Sequence, residues 1–378
     1  MNGQQRALVV LAAGGTGGHV FPAQALAAEL VERGYRLALI TDRRGGAFGG
    51  SLSAIETYRI RATGVAGKHL AALLLSGPNL AVGTVQARQL LKRLKPAVVV
   101  GFGGYASVPT MLAATFSGLR TAIHEQNALL GRANRLLASK VDRVATSFLV
   151  SGGLPADAVD KATHTGMPVR PAIAAMRTRT YPDLAGTGPI ELLVLGGSQG
   201  AQVFSEVIPE AVGQLADQLR RRLRVTQQCR PEDLDRVRRH YGELGVEAIL
   251  AAFFEDVPER LARAHLLISR AGASSVAEIT AVGRPAILVP YPYAVDDHQT
   301  ANAHAMDEVG AGWLIPNEAF TPETLAARVN ALFDLPATLE KTAASARAAG
   351  RADAAACLAD MVAELVPNGT TEARRRAA

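Results

Sequence analysis

The stretch SRAGASSVAEITAVGRPAILVPYPYAVDDHQ, Ser269 to Gln299, decides the fold class. It follows an apolar run, Ala264 to Ile268, turns at Gly272, opens a helix at Ala273-Ser274-Ser275 and stops that helix at Gly283-Arg284-Pro285. A second apolar run, Ala286 to Val289, comes next, so the order is strand, glycine turn, helix, strand. Glu278 follows Ser274 by four residues and shares its helix face. Helical side chains lean toward the N-terminus, so the carboxylate points back at the helix start, a place that favours anions. A carboxylate one turn above a bound phosphate is repelled unless neutral hydroxyls hydrogen-bond to it. The pattern suits a nucleoside diphosphate, with phosphates on backbone amides and ribose hydroxyls on Glu278. An ordinary helix carrying a solvated glutamate has the same spacing.

Outward from this stretch, the chain repeats the scheme. Short runs rich in Val, Leu and Ile predict strands at Arg6 to Ala13, Arg36 to Thr41, Ala97 to Gly101, Arg120 to Ile123 and Arg143 to Ala145. In the second half they fall at Ile190 to Leu195, Arg224 to Gln227, Ala248 to Ala251, His265 to Ile268, Ala286 to Val289 and Gly312 to Ile315. Helices between them make an α/β chain with two doubly wound Rossmann-like domains. Thr165-Gly166-Met167-Pro168-Val169-Arg170-Pro171 breaks any regular element, which sets the domains at 1–168 and 169–350.

At 378 residues the chain is long enough for two cores, and 48% hydrophobic with 20% charged residues is a globular composition. The net charge of +6 admits nucleic acid, an anionic membrane or an anionic substrate. Aromatics make up only 5% and do not interleave with Lys or Arg, which disfavours nucleic acid. Cys229 and Cys357 lie far apart with no metal-ligand spacing, so both read as incidental thiols in a reducing compartment. The first apolar run leads into a glycine turn and helix and reads as a strand, not a signal peptide. No uninterrupted apolar stretch is long enough to span a bilayer.

Three glycine loops follow strands: Gly14-Gly15-Thr16-Gly17-Gly18-His19, Gly101-Phe102-Gly103-Gly104-Tyr105-Ala106-Ser107 and Gly196-Gly197-Ser198-Gln199-Gly200-Ala201. Each offers backbone N–H groups at a helix start, which suits phosphate oxygens. None has the Lys-Ser/Thr ending of a P-loop, and the first lacks dinucleotide spacing, with only Asp42 as a ribose acid. Two loops in the first domain and one in the second suggest two anionic ligands meeting across a cleft.

These motifs, with His124-Glu125-Gln126-Asn127, Gly166-Met167-Pro168-Val169-Arg170 and Asp297-His298-Gln299-Thr300-Ala301-Asn302-Ala303, resemble in order and over nearly the whole chain the MurG family. That family comprises the membrane-associated UDP-N-acetylglucosamine transferases that make lipid II. The resemblance implies the GT-B architecture of two Rossmann domains facing a cleft, with the C-terminal helix, about 351–378, packing back on the first domain. It implies an inverting, metal-independent transfer of GlcNAc from UDP-GlcNAc to the muramoyl 4-hydroxyl of a polyprenyl-diphosphate-linked acceptor, lipid I, with no cofactor.

The resemblance assigns the donor to Thr16, Gly17, Gly18, Asn127, Arg170, Ser198, Phe254, Ala273, Ser274, Ser275, Glu278 and Gln299. Ser198 would lie near the diphosphate, Phe254 by the uracil and Gln299 on GlcNAc hydroxyls. The acceptor falls to Gly14, Gly15, Gly103, Gly104, Tyr105 and Glu125. Such a transfer needs a base for the acceptor hydroxyl. His19 is the first candidate, since a helix N-terminus favours neutral imidazole, and Glu125 is the rival. His19 also reads as a helix-capping or acceptor-binding residue. Asp296-Asp297 suggests a metal motif, but in the family pattern this loop serves the donor.

Leu70 to Val85, LAALLLSGPNLAVGTV, is broken by Ser76-Gly77-Pro78-Asn79 and flanked by Lys68, Arg88, Lys92, Arg93 and Lys95. It reads either as a buried helix followed by a basic one, or as a surface on an anionic leaflet with Leu73, Leu74 and Leu75 in contact. The second reading gives a peripheral protein on the cytoplasmic face of the plasma (inner) membrane. A UDP-GlcNAc 2-epimerase and a non-catalytic nucleotide-sugar-binding subunit are the readings from other classes.

Overall fold

The computed structural model describes residues 7–14, 17–43, 46, 48–49, 52–62, 70–149, 151–184, 186, 188–197 and 200–367, without the side chains of 70–77. The chain divides into two compact units, Met1–Arg170 with Asp353–Ala378, and Pro171–Ala352.

Unit 1 runs β1 (Leu8–Ala12), α1 (Gly17–Glu32), β2 (Arg36–Thr41), β3 (Glu56–Arg59), α2 (Leu70–Leu94), β4 (Val98–Gly101), α3 (Gly104–Phe116), β5 (Arg120–Glu125), α4 (Arg132–Leu137), β6 (Arg143–Thr146) and β7 (Ala162–His164). Unit 2 opens with α5 (Pro171–Ala175), β8 (Ile190–Leu195), α6 (Gln202–Gly213), α7 (Asp217–Arg222), β9 (Leu223–Gln228), α8 (Leu234–Glu243) and β10 (Glu247–Ala251). It continues with α9 (Val257–Arg263), β11 (Leu266–Ser269), α10 (Ala273–Val282), β12 (Ala286–Leu288), α11 (His298–Glu308), β13 (Trp313–Leu314), α12 (Pro322–Asp334) and α13 (Pro336–Ala349). The last helix, α14 (Ala354–Leu365), returns to unit 1.

Both sheets are parallel throughout, with strand orders β3-β2-β1-β4-β5-β6-β7 and β10-β9-β8-β11-β12-β13. All five residues of β1, LVVLA, are buried, as a central parallel strand covered on both faces requires. Val9 and Leu11 face a core shared with Leu26 and Leu30 of α1 and Leu358 and Val362 of α14. Val10 and Ala12 face the other, with Leu91 of α2 and Met111 of α3. Each such Leu or Val contributes about 1.5–3 kcal/mol through burial. Arg33, just past α1, adds an ion pair to Asp360 at 2.5 Å and a bond to the Ala356 carbonyl, which ties the C-terminal helix to the first one.

The sequence reading missed β3, ETYR, and β7, ATH, because these outermost strands are half-exposed and carry no apolar run. It also expected a break at Ser76-Gly77-Pro78-Asn79, whereas α2 is one continuous helix with Pro78 inside it. Among the described residues no helix is long and apolar enough to cross a membrane.

In unit 2, α10 is anchored at its C-terminal end by Arg284, which has no exposed surface. Its guanidinium donates to the carbonyls of Leu261, Ala262, Val282, Gly283 and Thr180, which include the ends of α9 and α10. Burial lowers its pKa to about 10, still protonated at neutral pH, and the negative ends of two helix dipoles offset the buried charge.

Candidate active site

In an open parallel sheet, ligands bind beyond the carboxyl ends of the strands where the winding reverses. In unit 1 that point lies between β1 and β4, and the loops that follow β1, β4 and β5 all end there. The β4 loop carries Gly103 and Gly104 with φ of +79° and +69°, a left-handed pair that side chains with a Cβ resist. A Cβ at Gly104 would come within 3.1 Å of His19 Cδ2 and 3.3 Å of its Nε2. The glycines of the second loop therefore make room for the histidine of the first.

His19 Nδ1 lies 3.1 Å from Oε1 of Gln126, which is buried. Gln126 Nε2 in turn approaches the carbonyls of Phe102 and His124, each at 2.9 Å, and His124 Nδ1 at 3.1 Å. His124 is fully buried, with Nε2 3.1 Å from the Gly166 carbonyl, and its pKa is lowered to about 4, chiefly by burial. His19 thus heads a chain of polar groups running into the protein. The sequence reading missed Gln126 and His124. The signal was present in their two-residue spacing across the end of β5, which turns His124 and the residue just past the strand to the same side of the chain.

Glu125, the rival base, is only 1% exposed. Its Oε1 accepts from Asn127 N at 2.9 Å and Asn127 Nδ2 at 3.2 Å, and its Oε2 from Gly131 N at 2.9 Å and Asn134 Nδ2 at 2.8 Å. A buried carboxylate that accepts four hydrogen bonds shapes the 126–134 loop. Both of its oxygens are turned to that loop. Tyr105, the second residue of α3, is 42% exposed, and Gly14 packs tightly, since a Cβ there would meet Ala106 Cβ at 2.7 Å. Gly15 and Thr16 lie outside the described residues; Gly17 and Gly18 begin α1.

In unit 2 the winding reverses between β8 and β11. The loop after β8 needs its glycines, since a Cβ at Gly196 would meet Ala201 N at 2.5 Å. Ser198, within that loop, lies outside the described residues. After β11 comes α10, whose N-terminal amides receive no side-chain cap. Gly272 there has φ −65° and ψ 145°, open to any residue, and a Cβ would meet only Ser275 Oγ at 4.0 Å. The tight turn expected at Gly272 is an extended residue, and what glycine leaves is space over the helix start.

Ala273, Ser274, Ser275 and Glu278 are all partly exposed on this helix, with Glu278 one turn in. Asn302, fully buried, donates to the Ala271 carbonyl at 3.0 Å and so pins the turn. Arg270 puts a cation beside it: Nη1 bonds to the carbonyls of Val289 and Pro290 and to Asn317 Oδ1, all neutral oxygens. Burial lowers its pKa. A cation without an anionic partner among these bonds adds to the positive potential of the helix end.

Gln299 Oε1 accepts from Tyr291 N at 2.9 Å across the loop in which Asp296 and Asp297 both have a left-handed φ of 52°. Among the described residues no group of three His, Cys, Asp or Glu side chains is placed to hold a metal ion. Phe254 is buried with the Arg260 guanidinium 4.4 Å above its ring, while Phe253 beside it is exposed. Arg170 closes unit 1, partly exposed.

Two parallel doubly wound sheets, each with glycine loops and a helix start at its winding reversal, make this a GT-B-like two-domain protein. The family model described as the glycosyltransferase family 28 N-terminal domain matches residues 9–146, and that of the C-terminal domain matches residues 191–358. A protein of Paramagnetospirillum magneticum named UDP-N-acetylglucosamine--N-acetylmuramyl-(pentapeptide) pyrophosphoryl-undecaprenol N-acetylglucosamine transferase is 60% identical over 364 residues, 96% of this chain and 98% of the relative. The crystal structure of Acinetobacter baumannii MurG matches with a TM-score of 0.78 at 29% identity, covering 95% of this chain and 99% of that one. The chain belongs to the MurG family of glycosyltransferases. A UDP-GlcNAc 2-epimerase of Neisseria meningitidis, crystallised with UDP-GlcNAc, reaches a TM-score of 0.64 at 14% identity over 95% of this chain and 100% of that one, a likeness of fold alone.

Proposed function

We propose that this protein transfers GlcNAc from UDP-GlcNAc to the 4-hydroxyl of the muramoyl sugar of an undecaprenyl-diphosphate-linked acceptor, with inversion at the anomeric carbon and without a metal. The observation that carries this reading is the full-length identity to the relative whose name specifies both donor and acceptor. Unit 1 holds the acceptor and supplies the base, and unit 2 holds the donor. His19 accepts the hydroxyl proton as the hydroxyl oxygen bonds to C1, and the C1–O bond to the diphosphate breaks with its electron pair leaving on UDP. The uncapped amides of α10, backed by Arg270, stabilise the diphosphate as charge builds on it.

Glu278 takes the ribose hydroxyls, and Gln299 and Asn127 the sugar. Arg170 and Ser198 complete the donor contacts, and Phe254 lies by the uracil. Gly14, Gly15, Gly103, Gly104 and Tyr105 serve the acceptor. His19 is preferred over Glu125 because the carboxylate of Glu125 is already saturated.

The acceptor's polyprenyl tail keeps it in a bilayer, so the enzyme works as a peripheral protein at the cytoplasmic membrane face. On α2, exposed Val82 and Val85 continue into exposed Arg88 and Lys92, with exposed Lys95 just past the helix end, an apolar and cationic stripe suited to an anionic leaflet. The test is UDP release from UDP-GlcNAc with and without a short-chain lipid I analogue, for wild type and His19→Ala. Acceptor-dependent release that falls by about 10² to 10⁴ in the variant is expected. Acceptor-independent epimerisation of the sugar nucleotide overturns the reading.

A further inference from the structure

We infer that Gln126 is a positioning residue that fixes the tautomer of His19, keeping the ring proton on Nδ1 and the lone pair on Nε2. The inference rests on the reading of His19 as the base and names what prepares it.

Gln126 Nε2 lies 2.9 Å from two carbonyl oxygens, those of Phe102 and His124. Carbonyls only accept, so the amide nitrogen has to face them, and the opposite flip would set three oxygens together. The end turned to His19 is therefore Oε1, which also only accepts. Across the 3.1 Å contact the imidazole must donate, so Nδ1 carries the hydrogen. In neutral imidazole that leaves the lone pair on Nε2.

Nε2 lies on the Gly104 side of the ring, where a Cβ would stand at 3.3 Å, so glycine at 104 is what lets the imidazole sit in this orientation. The second histidine supports the same orientation. Gln126 Nε2 also lies 3.1 Å from His124 Nδ1, which makes that nitrogen an acceptor and leaves Nε2–H of His124 to donate to the Gly166 carbonyl. His124 is buried and stays neutral, so it does not compete for Gln126 as a cation would. When His19 takes up a proton, Nδ1–H still points at Oε1, and the bond becomes charge-assisted without rearrangement. Among the described residues the titratable groups near the chain include His124 on β5, Glu125, whose oxygens are turned to Asn127, Gly131 and Asn134, and Asp42, which faces the Gly14 turn.

The test uses full-length protein labelled with 15N-histidine, in which long-range 1H–15N correlations report which ring nitrogen is protonated. His19→Ala assigns the resonance. Above the His19 titration, Nδ1 protonated and Nε2 bare is expected, and a proton on Nε2 overturns the inference. Gln126→Met should release the tautomer and lower kcat by about 10- to 100-fold with an unchanged KM for UDP-GlcNAc. A variant that keeps the proton on Nδ1 overturns it as well. Gln126→Glu turns an oxygen to the Phe102 and His124 carbonyls, so it can sit there only by carrying a proton on that oxygen; in that form it still accepts from Nδ1 and should preserve the tautomer. If Gln126→Met does not fold, the wild-type spectrum decides. Should the tautomer be as stated while His19→Ala keeps full turnover, the assignment of the base fails and the tautomer stands.

Discussion

Acidification should destabilise this protein in part through His124. In the folded chain its ring has no exposed surface, its Nδ1 accepts from Gln126 and its Nε2 donates to Gly166, and its pKa is lowered from 6.5 to about 4. As pH falls below about 6.5, the unfolded chain binds a proton here that the native chain refuses. Stability from this residue is thus complete above that pH and declines as pH falls toward 4. At about 1.4 kcal/mol for each tenfold in proton affinity, the loss by pH 4 is about 3 kcal/mol, a large part of a typical domain's stability. His124→Gln keeps a donor for the Gly166 carbonyl and has nothing to titrate in this range. Urea unfolding followed by circular dichroism at pH 7, 6, 5 and 4 should show the variant less stable at pH 7, yet losing about 3 kcal/mol less than wild type on acidification. Carboxylates contribute equally to both curves and cancel in the difference. Parallel curves, or a His124 titration midpoint near 6.5 by NMR, would refute the reasoning.

Glu125→Ala strands the amides of Asn127 and Gly131, so it should lower unfolding stability by roughly 3 kcal/mol or more; a melting temperature equal to wild type contradicts the structural role. Glu278→Ala should raise the KM for UDP-GlcNAc about tenfold or more, the equivalent of a charge-assisted bond worth roughly 1.5–3 kcal/mol, and leave the acceptor KM in place; an unchanged donor constant removes the ribose assignment. Replacing Leu73, Leu74 and Leu75 together with Ser should weaken binding to anionic vesicles in a sedimentation assay and spare transfer to a soluble acceptor. If the triple variant unfolds instead, these residues belong to the core.

The sequence by itself determined the two parallel sheets, because strands covered on both faces must read as short continuous apolar runs, as LVVLA and IELLVL do. It also determined the anion-favouring start of α10, since a strand, a glycine and a helix are local features, and Gly283, with φ +73°, ends that helix where the pattern stops. The edge strands β3 and β7 stayed hidden because one side of each faces solvent and their composition is that of a loop. The role of Glu125 depended on the tertiary structure, which brings Gly131 and Asn134 around its carboxylate. So did the partnership of His19 and Gln126, which are 107 residues apart. Strand order sets that meeting: parallel pairing puts β4 between β1 and β5, so three loops distant in sequence end side by side. Periodicity reports which residues are buried, and only the order in which the strands pair decides which of their ends become neighbours.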